Sequence, residues 1–253
     1  MAVAQVAVAV GLVIAAIALS RATRLGLERD IAVVAIRAIV QLTAVGLVVT
    51  VVFEHLGLAA AFVVVMLVAA AFTSGHRLAG IPRARRIAVV AIGAPSLLAL
   101  GLLLVAGAFP ATPRGVIPVA GILIGGAMAA VSLGGRRVRD DLHDRLDEIE
   151  TRLALGASAH QALHPTLRTA VTTALVPVLD QTRTVGLVAL PGTFVGLVLG
   201  GASPAEAARV QLTVLLSLIA VELAAALLLA RLVTAAWTAP GERVRPPERA
   251  VPR

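Results

Sequence analysis

The sequence predicts an all-α fold, a polytopic transmembrane helix bundle of about seven spans with its N-terminus outside and its C-terminus inside. Three observations carry this expectation. Of the 253 residues, 59% are hydrophobic and only 14% are charged, where soluble domains carry about a quarter charged residues; the mean hydropathy of +0.97 asks for lipid as solvent. Apolar runs near the length a helix needs to cross hydrocarbon, about 20 residues, recur along the chain. Arginines crowd every second connection between those runs.

The runs fall at 2–20, 31–53, 58–73, 87–109 and 115–133 and, after a long polar stretch, at 185–200 and 207–233. The first has no basic start and exceeds the roughly 7–15 apolar residues of a signal-peptide core, so it reads as a retained span. Transmembrane strands would alternate over segments of about ten residues instead of running apolar throughout, which excludes a barrel. Gly121, Gly125 and Gly126 in the fifth run suit close approach of helices.

The connections orient these spans. Arg21, Arg24 and Arg29 follow the first run, Arg77, Arg83, Arg85 and Arg86 the third, and Arg136, Arg137, Arg139, Arg145 and Arg152 the fifth. The alternate connections carry Glu54 and His55, then Arg114, then Glu206. The positive-inside bias puts the arginine-rich side in the cytoplasm of a multi-pass plasma-membrane protein. The net charge of +8 therefore reflects topology and not nucleic-acid binding. With no cysteine there is neither a disulfide framework nor a thiolate metal site. Residues 1–238 read as one membrane domain, and 239–253, rich in proline and charge, as a disordered cytoplasmic tail.

Residues 136–168 form the one long hydrophilic segment between runs, a candidate cytoplasmic coupling segment. Val138, Leu142, Leu146, Ile149 and Leu153 recur at steps of three and four, the mark of one apolar helical stripe. Asp140, His143, Asp144 and Asp147 share another side; interlaced with arginines and without a short ligand motif, they read as a solvated face and not as a metal site. Gly156 can end this helix and Ser158 can cap a second, short one beginning near Ala159.

Residues 177–196 hold the densest signals. Asp180 and Arg183, at i and i+3, can pair on one helical face, either as an anchor where the chain enters the membrane or as part of a pathway or gate. Pro191-Gly192 should break or kink the sixth span, and broken helices are tolerated where they line a cavity or are buried in protein. Arg37 and Gln41 share a face of the second span; Arg37 either snorkels to the surface or faces the bundle interior. Gln211 and Glu222 are the polar candidates of the last span, Glu222 the deeper.

The 150–158 segment resembles the cytoplasmic loop of ABC transporter permeases, in which a glutamate is followed six positions later by a glycine. Glu150 and Gly156 match that spacing, while Thr151 and Arg152 replace the two alanines of the pattern. The stretch Pro177-Val-Leu-Asp180 to Thr184-Val-Gly-Leu-Val-Ala-Leu-Pro-Gly192 is more specific. With Glu28-Arg29-Asp30-Ile31, Arg37-Ala38, Gln41-Leu42 and Val116-Ile-Pro118-Val-Ala-Gly121, it is similar to the FetB family of ABC permeases over roughly residues 20–233. That family is linked to iron export in bacteria, and its plant members to aluminium tolerance, with UDP-glucose transport proposed. The chain departs from it at Thr193-Phe194, where methionines often follow Leu-Pro-Gly, and at Ala127, where an asparagine often follows the glycine pair.

The resemblance implies a permease subunit that moves a metal ion (iron) or another small solute, as a homodimer with two separate ABC ATPase subunits. Glu150, Gly156, Ala157 and Ser158 would then couple to the ATPase, and Asp180, Arg183, Pro191, Gly192, Arg37, Gln41 and Glu222 would serve the pathway or gate. The sequence has no lysine, so the P-loop Gly-x-x-x-x-Gly-Lys is impossible and ATP would be used only by the partner. No catalytic residue, metal ligand or bound cofactor is expected in this chain. The other classes open to such a sequence are an ion-coupled secondary transporter and a non-transporting membrane scaffold. Internal repeat symmetry would favour the former.

Overall fold

A computed structural model describes residues 2–239 and 243–244, and these are almost wholly helical. They divide into two compact units, 1–56 and 57–253. In the first, α1 (Ala2–Ala22) and α2 (Glu28–Val52) form a helical hairpin. Its turn is set by left-handed backbone at Arg24 and Gly26 and closed by the buried Ser20 hydroxyl. That hydroxyl accepts from the Leu27 N–H at 3.2 Å and donates to Glu28 at 3.1 Å. Glu28 and Asp30 lie in the first turn of α2, where carboxylates favour the helix dipole.

The second unit contains α3 (Leu56–Arg77), α4 (Ala84–Val105), α5 (Pro113–Asp144), α6 (Leu146–Ala154), α7 (Ala159–Thr184), α8 (Gly192–Leu199) and α9 (Pro204–Trp237). A two-residue antiparallel pairing of β1 (Thr238–Ala239) with β2 (Arg243–Val244) follows. The expected disordered tail otherwise lies outside the described residues. At the centre, α5 packs against α4, α7 and α9, and α9 also packs against α4, α7 and α8. Small residues and hydroxyls knit these helices: Ser74 and Ser132 hydroxyls lie 2.9 Å apart, and Ser96 donates to the Leu123 carbonyl at 3.3 Å. Large apolar side chains stay bare outside, such as Val105 and Leu98 on α4, as a lipid-facing surface requires.

Among the described residues six helices are long and apolar enough to span a membrane, namely α1 to α5 and α9. The bundle of about seven spans agrees with this, but the element between α5 and α9 differs from the hydropathy reading. Residues 185–200 are not one continuous helix. Instead α7, 26 residues long, packs between α5 and α9; it ends at Thr184, and α8 resumes only after Pro191. Hydropathy passes over α7 because threonines, histidines, Gln161 and Arg168 dilute its apolar content. Thr169, Thr172, Thr182 and Thr184 donate to carbonyls within α7 itself, which lets such a helix lie in an apolar setting.

The apolar stripe of 138–153 buries Val138, Leu142 and Ile149 but is split between two helices at Arg145. Ser158 caps α7 as expected, in a reciprocal box. Its hydroxyl accepts from the Gln161 N–H at 3.2 Å, and its own N–H donates to the Gln161 side chain at 2.9 Å. The helix it starts is long rather than short. Ser158→Ala should lower stability by about 0.5–2 kcal/mol, measured by thermal unfolding in detergent. An unchanged midpoint would show that packing alone holds the start of α7.

Candidate functional site

The second unit holds a cavity of about 450 Å³, open on one side and lined by α3, α5, α7 and α9. Close approach of α5 and α9 shapes it. A side chain at Gly126 would lie 2.5 Å from Leu218 and 2.8 Å from the Glu222 carboxylate, so glycine there leaves room for Glu222. Gly121 likewise admits Met66, whereas nothing crowds Gly125. From α7 come Ala174, Pro177, Val178 and Gln181, and from α3 and α5 come Arg77, Ser132 and Arg136. Glu222 is 7% exposed and is the one acidic residue of this lining. Arg77 ends α3, and Arg136 lies beyond the apolar part of α5, so both arginines mark the same end of the cavity. The result is a chamber with a carboxylate inside, two guanidinium groups at one end, and an amide and a hydroxyl between. Nearer the other end of α9, Gln211 is buried with its Oε1 unpartnered.

Asp180 and Arg183 do pair, Arg183 Nη1 donating to Asp180 Oδ1 at 3.0 Å. Both remain exposed, at 59% and 73% of their side-chain surface. The structure places them near the C-terminal end of α7, beside Gln181. The turn after them folds back on Thr184, whose carbonyl accepts from the Val188 N–H at 3.0 Å. Pro191 stands as the N-cap of α8 and Gly192 begins it, so this pair starts a helix after the break rather than kinking one. Arg37 and Gln41 lie exposed on α2 of the first unit.

A second feature is the turn between α6 and α7. Gly156 has φ of +89°, a conformation that favours glycine. The Gly156 N–H donates to the Leu153 carbonyl and the Ala157 N–H to the Arg152 carbonyl, both at 3.0 Å, which closes α6 in a Schellman turn. Arg152 ties the two helices together, donating to Glu148 at 2.7 Å and to the Ala162 carbonyl at 3.2 Å. Glu150 is exposed, Ala157 and Ser158 are half-buried, and Leu155 at the tip is 82% exposed. Among the described residues no three His, Asp or Glu side chains converge as a metal site. Arg139 pairs instead with Asp140, and Arg137 with Asp141.

Sequence reasoning missed Gln181, Ser132 and Leu155, and read Arg77 and Arg136 only as topology charges. A signal existed for Leu155, an apolar residue one step before the helix-ending glycine. None existed for the cavity, which four helices far apart in sequence create.

The model of the family described as "Uncharacterised protein family (UPF0014)" matches residues 3–237. The "UPF0014 membrane protein STAR2" of Oryza sativa subsp. japonica is 39% identical over 211 residues, 82% of this chain and 73% of its own length. "Protein ALUMINUM SENSITIVE 3" of Arabidopsis thaliana is 37% identical over 211 residues, 83% of this chain and 77% of its own. The "Probable iron export permease protein FetB" of Escherichia coli (strain K12) is 34% identical over 212 residues, 83% of this chain and 82% of its own. No solved structure matches.

Proposed function

The chain belongs to the UPF0014 family of multi-pass membrane proteins, and from that premise we propose that it is the permease subunit of an ATP-driven transporter. The observation that carries this reading is the α6–α7 hairpin, a rigid helical turn with a bare leucine at its tip. It offers a compact docking element to a separate ABC ATPase, and the permease name borne by the bacterial relative supports it. Two copies of the chain and two ATPase subunits make up the proposed complex, and ATP is used by the partner.

The cavity is the proposed solute chamber, with Glu222, Gln181 and Ser132 as its polar lining. Oxygen and amide groups without sulfur suit a hard cation or a hydrogen-bonding solute. Iron export, the activity in the name of the bacterial relative, is our leading assignment of substrate and direction. The deep carboxylate also allows a second reading, ion-coupled transport without an ATPase. Affinity purification of the tagged chain from its own cells decides between them. The ABC reading expects a nucleotide-binding subunit at equal stoichiometry and ATPase activity stimulated by substrate. Recovery of the chain alone, with gradient-driven transport in proteoliposomes, would favour the second.

In the proposed orientation the α6–α7 turn is cytoplasmic. Because the chain lacks cysteine, single introduced thiols report cleanly. His55→Cys should react with an impermeant thiol reagent on intact cells and Ala84→Cys should not; the reverse pattern overturns the orientation.

A further inference from the structure

Asp180 and Arg183 stand at a height where lipid tails surround an isolated bundle. Ser96, near the middle of α4, bonds the Leu123 carbonyl, and Met66, near the middle of α3, lies against Gly121. Residues 121–123 therefore mark mid-height of the apolar helices. Gln181 lines a cavity that runs along α5 from Ile122 to Arg136, a range that includes this level. A second register agrees: Ala174 packs at Gly134, and six more residues of helix carry the chain about 9 Å toward Gly126.

The two faces of α7 differ. Ala174 and Val178 are buried toward the cavity and Gln181 lines it while itself exposed; Val176, Leu179, Asp180 and Arg183 follow helical spacing on the other side and are all exposed. In the turn just past the helix end Leu187 and Val188 are also bare, 89% and 85% exposed. Charged groups and irregular backbone at such depth are covered by protein or water and do not face hydrocarbon.

We propose that this stripe is the contact surface for a second copy of the chain. Arg183 of each copy bridges Asp180 of its own helix and Asp180 of the other. The chemistry is self-complementary. A two-fold axis along the bundle sets the two pairs at equal height, and three residues of rise, about 4.5 Å, separate Asp180 from the second copy's Arg183. Within one chain the pair is joined only from Nη1 to Oδ1, which leaves Oδ2 and the other guanidinium N–H groups for the second pair. The flanking apolar side chains supply the dry surround. The inference rests on the reading of the chain as one of two permease subunits, but its tests need neither ATPase nor transport, so failure of either is seen separately.

Val176→Cys and Leu187→Cys, made singly and oxidised in native membranes, should each give a covalent dimer on a non-reducing gel. The yield should be about tenfold above Leu98→Cys on the bare face of α4, since only the former face lies in a contact. No dimer above that control in membrane-inserted protein overturns the proposal. So does a disulfide within one chain in the Val176→Cys, Gln41→Cys pair, which would assign the stripe to the first unit. Charge exchange tests the bridge itself. Differently tagged Asp180→Arg and Arg183→Asp chains, expressed together, should co-purify about tenfold better than either does with its own kind. Equal recovery of like and unlike pairs would remove the charges from the contact.

Discussion

A chain carrying Gly156→Pro is expected to reach the membrane at normal levels and to retain almost none of the proposed ATPase partner. Proline holds φ near −65°, against +89° here, and has no N–H to donate to Leu153. The Schellman turn then cannot close, and the tip of the α6–α7 hairpin is redirected while the helices on either side keep their packing. Leu155→Asp is the gentler companion. At 82% exposure it should change the stability of the isolated chain by no more than about 0.5 kcal/mol. A carboxylate buried without a partner in a docking surface should still weaken association by about 2 kcal/mol or more, roughly thirtyfold. The measurement is ATPase co-purified per permease, with surface expression as control. Full association in both variants would move docking away from this turn, toward the connection holding Arg77 to Arg86.

Glu222→Gln is expected to lower transport by about tenfold or more while the chain remains folded. Glutamine keeps the shape of the side chain and removes the one carboxyl group in the cavity lining, so packing against Gly126 survives and the acid group does not. Gly126→Leu should reach a similar loss by a different route, filling the space between α5 and α9 that Glu222 occupies. Substrate efflux from proteoliposomes, compared with thermal midpoints of the same preparations, separates lost chemistry from lost folding. Wild-type turnover in Glu222→Gln at an unchanged midpoint would leave this residue a packing role only.

Much of the architecture was legible because membrane helices announce themselves by length and apolarity. α1 to α5 and α9 appear where the runs lie, and the end of α6 at Gly156 and the cap at Ser158 follow from local backbone chemistry. The i, i+3 pairing of Asp180 with Arg183 is equally local. α7 was illegible as a packed element for a corresponding reason. Its threonines satisfy their hydroxyls on their own helix, so residues that lower hydropathy cost little in the bundle.

By itself the sequence determined the helical membrane class, the spans α1 to α5 and α9, the break before Pro191-Gly192 and the turn at Gly156, because each depends on neighbours within a few residues. Only the tertiary structure decided that a packed α7 leads up to that break, that Glu222 lines one cavity with Gln181, Arg77 and Arg136, and which residues of α7 stay exposed. Depth and convergence depend on how α5, α7 and α9 slide against one another before their small residues lock. That register is set by the fit of Gly126 to Leu218 and Glu222 and of Gly134 to Ala174 and Leu229, contacts between residues 40 to 96 positions apart that no local pattern encodes.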